Sequence, residues 1–160
     1  MRSVKTNTFQ MAVLISGIIY IILGLALVLS PIMVFQLFAD NVSENWFDLV
    51  RDHELVAPLY FTVKSFGVLL LSSGVLMIMP LFDPLKYRGI AYMNGVFFPL
   101  LSSIILLKNG LFIGVKKDVS MQGDYMHLPI VIFGSILSAV CIIVLLTLLI
   151  TRKDAKEGKE

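Results

Sequence analysis

The residue with the strongest claim to chemistry is Lys64, set in a run that otherwise holds no Asp, Glu, Lys or Arg from Pro58 to Phe82. A charge there is costly in lipid unless it is paired or its amine reaches the headgroups along its own aliphatic stem. Tyr60 lies four residues earlier on the same helical face. His127 belongs to the same end of the molecule, just ahead of Leu128 and Pro129. Lys64, Tyr60 and His127 therefore form the expected ligand-binding set, an outward-facing pocket for an anionic lipid headgroup, a carboxylate or a quinone oxygen. The competing reading makes Lys64 a snorkelling side chain or the partner of Asp52 or Glu54.

Other reactive types are sparse. His53 and His127 are the two histidines, and without spaced cysteines or further ligands they do not make a metal site. Cys141 is the single cysteine, which excludes a disulfide framework and intramolecular dithiol chemistry, including that of the quinone-linked four-helix reductases. At mid-span its thiol behaves as a small apolar group. No Ser-His-Asp arrangement, phosphate-binding glycine loop or pair of intramembrane carboxylates can be assembled. The lack of acids in the apolar runs argues against a proton- or cation-coupled transporter. We expect no catalytic residue, no metal and no cofactor, and the enzyme reading is the weaker one. A net charge of +2 with basic tails suits anionic lipid and makes no case for nucleic acid.

These side chains must be positioned by apolar elements. Hydrophobic residues make up 58% of the chain and charged residues 15%, against about 45–50% and about 25% in soluble domains. A soluble domain of 160 residues could not cover its surface with so few polar groups. The composition also excludes disorder. Lipid offers no partner to unpaired strand edges, so the long apolar runs read as helices.

The fold expected is an all-α integral membrane protein, one domain over 1–160, with four transmembrane helices in an antiparallel up-down bundle. The spans fall at about 9–30, 58–81, 84–107 and 128–151, each near the ~20 residues a crossing needs. Pro31 should stop or kink the first, with Pro31 to Phe38 emerging as an interfacial continuation. That run is too long for a signal-peptide core, so it is read as a retained anchor. The acidic loop 40–57 carries a short interfacial helix at 44–53, capped by Ser43 and bearing Trp46, Phe47, Leu49 and Val50. Asp83 before Pro84 reads as a helix cap that starts the third span at Pro84. Connection 108–127, with Gly110, Gly114 and Gly123, reads as irregular, and the tail 152–160 as disordered.

Basic residues set the orientation. Arg2, Lys5, Lys86, Arg88, Arg152, Lys153, Lys156 and Lys159 share one side of a four-span protein. Arg51, Lys108, Lys116 and Lys117, with Lys64 close by, hold the other. The positive-inside rule then puts both termini in the cytoplasm, loop 40–57 outside, and the protein in a plasma or inner membrane. Asn41-Val42-Ser43 forms a glycosylation sequon on the outer side.

Between helices in lipid, small residues permit the close approach that holds a bundle together. Steps of three and four give Gly17, Tyr20, Gly24, Leu27 and Pro31 in the first span. The second gives Tyr60, Lys64, Gly67, Leu71, Gly74 and Ile78; the third Arg88, Tyr92, Gly95, Pro99, Ser102 and Leu106. In the fourth the stripe is His127, Val131, Gly134, Ser138, Cys141 and Leu145. Gly17, Gly24, Gly67, Gly74, Gly95, Gly134 and Ser138 are the expected packing residues. The Gly17/Gly24 spacing equals that of Gly67/Gly74, with Pro31 and Pro80 following, a pattern that an internal repeat would also give.

The segment Ser16-Gly17-Ile18-Ile19-Tyr20-Ile21-Ile22-Leu23-Gly24-Leu25, the Pro31 stop, the Gly67/Gly74 span and the hairpin Asp83 to Arg88 resemble the DoxX-like superfamily of small four-helix membrane proteins. The resemblance implies a compact bundle, often bacterial, sometimes tied to quinone or sulfur redox chemistry as an accessory subunit, and carries over no catalytic residue. Claudin and tetraspanin readings lack the cysteines their external loops need. The function expected is a non-enzymatic subunit, scaffold or binding module contacting membrane lipids and a protein partner or second copy. The alternatives are a redox or lipid-related accessory holding a quinone or lipid near Lys64, and a small facilitator of lipid or solute movement.

Overall fold

A computed structural model of the chain describes residues 4–39, 48, 52–84, 86–112 and 128–157, which are helical or in short turns, with no strand among them. Four helices are long and apolar enough to cross a membrane: Thr6–Leu29, Ala57–Phe82, Arg88–Leu111 and Leu128–Thr151. Only 22% to 39% of the most apolar stretch of each is buried against the rest of the chain. Large aliphatic side chains therefore cover the outside as well as the inside.

Helix α1 runs Val4–Leu29 and α2 runs Pro31–Ala39. Pro31 has no amide hydrogen for the Leu27 carbonyl, so the helix breaks at Ser30. The ladder resumes when the Val34 amide donates to the Ser30 carbonyl at 3.2 Å. A 3₁₀ turn, Glu54–Val56, leads into α3, Ala57–Leu76. Pro80 deprives the Leu76 carbonyl of its donor in the same way, and the second span finishes as a separate turn, α4, Met79–Phe82. The interfacial helix expected at 44–53 lies outside the described residues except for Asp48, Asp52 and His53.

The third span begins at Arg88, later than the Pro84 start read from the sequence. Asp83 does cap a turn, accepting the Lys86 amide on Oδ1 at 3.0 Å, but that turn closes before the helix begins. The span comprises α5, Arg88–Tyr92, a π-helical segment, Met93–Phe97, and α6, Phe98–Phe112. Pro99 supplies no donor to the Gly95 carbonyl and its ring presses on the preceding turn. Widening to π geometry absorbs this, and the Phe98 amide donates five residues back to the Met93 carbonyl. The helix continues past 107 through Lys108 and Gly110, residues assigned above to an irregular connection. Helix α7 runs Leu128–Glu157, so the tail stays helical through the strong helix formers Arg152, Lys153, Ala155 and Lys156 instead of fraying at once.

The first span packs most extensively on the second and the third on the fourth, while α1 also lies against α7. The core is Phe9, Val13, Tyr20 and Leu27 of α1, Leu70 and Met77 of the second span, Ala91 of the third, and Leu137, Val140, Val144 and Leu148 of α7. In α1 and α7 these recur at steps of three, four and seven, the period of one helical face.

Candidate functional site

Glycine lets the first and second spans meet backbone to backbone. A Cβ on Gly24 would lie 2.8 Å from the Gly67 carbonyl oxygen and 2.8 Å from the Leu71 amide nitrogen. A Cβ on Gly74 would lie 2.8 Å from the Gly17 carbonyl oxygen. Gly17 thus faces Gly74 and Gly24 faces Gly67, which gives the matching seven-residue spacings a packing reason: two helical turns on each partner meet at two points. Gly95 faces Val144 and Met77, and Gly134 faces Leu106 and Leu107. Ser138 is half-buried. Gly110, expected in an irregular connection, lies within α6 and admits Val131: a Cβ there would fall 2.7 Å from Val131 Cγ2.

Among the described residues, the following side-chain donors stitch helix to helix, each through a backbone carbonyl. Gln10 Nε2 donates to the Leu81 carbonyl at 2.6 Å, and Arg88 Nη2 to the Leu148 carbonyl at 2.6 Å. Buried Tyr20 donates its hydroxyl to the Asn94 carbonyl at 2.7 Å, inside the π segment. The Cys141 thiol approaches the Val96 carbonyl of the same segment at 3.5 Å. The π geometry disturbs the local ladder, and side chains of the first and fourth spans reach its carbonyls. The Ser103 hydroxyl, four residues after Pro99, bonds the Leu100 carbonyl of its own helix at 2.9 Å. The Tyr20 ring stands edge-on to Phe98 with centroids 6.0 Å apart.

Two further buried hydroxyls turn back on their own helices. Ser16 donates to the Ala12 carbonyl at 2.8 Å, and Thr147 to the Val144 carbonyl at 2.9 Å. Such bonds satisfy a hydroxyl at little cost. These polar side chains therefore either join two helices or bond within one.

The outer set is arranged differently from the pocket expected. Lys64 is exposed and does not face the bundle. Tyr60 is half-buried and packs edge-on against Phe35 of α2, centroids 5.2 Å apart. His127 lies outside the described residues. The face that does pack runs through Val63, Phe66, Leu70 and Met77, so Lys64 sits just off its edge. Ile78 and Leu145, also assigned to interior stripes, are likewise exposed. No cluster of three or more His, Cys, Asp or Glu residues suited to a metal occurs among the described residues.

The chain's relations were sought among family models, curated proteins and solved structures, and none of the three comparisons gives a match.

Proposed function

We propose that the protein is a small integral membrane protein whose four spans form an antiparallel up-down bundle, serving as a non-enzymatic subunit or scaffold. One observation carries the reading. Outward positions along all four spans are occupied by large apolar side chains, among them Ile18, Ile22, Val68, Phe97, Ile104, Ile142 and Leu146. Water would not tolerate such a surface on a monomer, whereas lipid or an apolar partner would. The use of interior polar groups as helix-to-helix stitches supports a structural role. The DoxX-like resemblance accords with this layout. Cytoplasmic termini, external loop 40–57 and a plasma or inner membrane follow from the basic residues and belong to the same proposal.

The test is the mass of the protein extracted from its native membrane in mild detergent. A protein partner or a second copy of the chain held in stoichiometric amount is the expected result. A stoichiometric quinone on an otherwise solitary chain would refute the scaffold reading and favour the accessory one.

A further inference from the structure

We infer that the hairpin between the second and third spans anchors anionic phospholipid headgroups, with Lys86 and Arg88 as the cationic contacts. The inference rests on the membrane reading above and adds a lipid class and a location. Both cations lie beside tyrosine rings: Lys86 Nζ is 5.3 Å from the Tyr87 ring centroid, and Arg88 Cζ is 5.8 Å from that of Tyr92. Tyrosine and arginine at the end of an apolar span are the residues that favour the headgroup layer.

The bond from Arg88 Nη2 to Leu148 fixes the guanidinium between the start of the third span and the last turns of the fourth. A guanidinium has five N–H donors, and here Nε is buried without an acceptor. The group is half-buried, its partners a backbone carbonyl and a tyrosine ring, with no ion pair to it among the described residues. The nearest acid in sequence, Asp83, accepts the Lys86 amide on Oδ1. Arg152 and Lys153 follow Leu148 on α7 by about one turn, with Asp154 next in sequence. The hairpin itself carries two cations, Lys86 and Arg88, against one acid, Asp83.

A phosphodiester suits the planar fork of arginine. The apolar part of the ligand has a place as well. Met93, Phe97, Leu100, Leu101 and Ile104 are exposed along the third span above Arg88, and this span is the least covered, at 22%. A phosphate at Lys86 and Arg88 would let acyl chains run along that face, which a free phosphate could not use.

The test uses the full-length protein in nanodiscs of phosphatidylcholine with a minor fraction of phosphatidylglycerol, with retained lipids read by native mass spectrometry. Phosphatidylglycerol should be enriched on the wild type. Lys86→Gln should reduce that enrichment about fivefold, the loss expected for one basic contact near an anionic surface. Lys108→Gln, an exposed change assigned to the opposite end, should leave it unchanged. Arg88→Gln should reduce it further; if that variant unfolds, Lys86→Glu supplies the decision on an exposed residue. Equal retention of both lipids by an incorporated protein would overturn the anchor while leaving the membrane reading intact. Displacement of the lipid by inorganic phosphate would also overturn it. Failure to enter the discs at all would strike the membrane reading instead.

Discussion

Replacing Gly24 by alanine adds one methyl group where backbone already stands. The new Cβ would lie 2.8 Å from the Gly67 carbonyl oxygen, the Leu71 Cγ and the Leu71 amide nitrogen. That is roughly 0.5–1 Å inside comfortable non-bonded separation. Leu71 could turn its side chain away, but the carbonyl and amide belong to α3 and move only with the helix. Overpacking of this kind costs about 1–3 kcal/mol. Alanine regains about 0.5–1 kcal/mol through its better helix propensity. The net expectation is a loss of about 1–2 kcal/mol. On the scale of soluble chains of this size that lowers the melting temperature by about 2–8 °C.

Cys141, buried and the single cysteine, supplies the assay: a fluorogenic maleimide in detergent reports the temperature at which it becomes accessible. Gly89→Ala is the control, because nothing lies within 4 Å of a Cβ at that position. Its stability should be unchanged or raised by up to about 1 kcal/mol, the helix propensity gained without a clash. A Gly24→Ala variant melting at or above the wild-type temperature would refute the close approach of α1 and α3. The double variant Gly24→Ala/Gly67→Ala should cost less than the sum of its parts, since both methyl groups separate the same pair of helices.

Tyr20→Phe keeps the ring against Phe98 and removes only the hydroxyl on the Asn94 carbonyl, so thermal unfolding should show a loss of about 0.5–1.5 kcal/mol. Lys64→Met removes a charge from an exposed site and should leave melting within about 0.5 kcal/mol of wild type; a much larger loss would mean a buried partner for the amine. Gly110→Ala should destabilise the contact between the third and fourth spans, because its Cβ would meet Val131 Cγ2 at 2.7 Å and the Val131 amide nitrogen at 3.3 Å. Faster amide exchange at the start of α7 would report it.

Small residues made the first seam legible. Gly17, Gly24, Gly67 and Gly74 stand at intervals that two touching helices require, and glycine is the residue that permits such contact. The limits of the reading have a common cause. In a span that is apolar all round, hydrophobicity does not distinguish the packed face from the lipid face. Stepping back from Gly67 by four reaches Val63, which packs against the core, and by three reaches Lys64, which is exposed. Forward from Cys141, a step of three reaches buried Val144 and a step of four exposed Leu145. Pro99 leaves carbonyls of the third span without their usual donors, but their partners, Tyr20 and Cys141, come from distant segments that local sequence cannot pair. Gly110, in Lys108-Asn109-Gly110, resembled loop sequence, whereas its lack of a side chain admits Val131 to the helix.

Partition of the protein between membrane and water is the most direct test of its four apolar helices. Membranes containing the full chain, washed in alkaline carbonate and sedimented, should keep it in the pellet until detergent is added. Recovery of a folded monomer in the detergent-free supernatant would contradict the account.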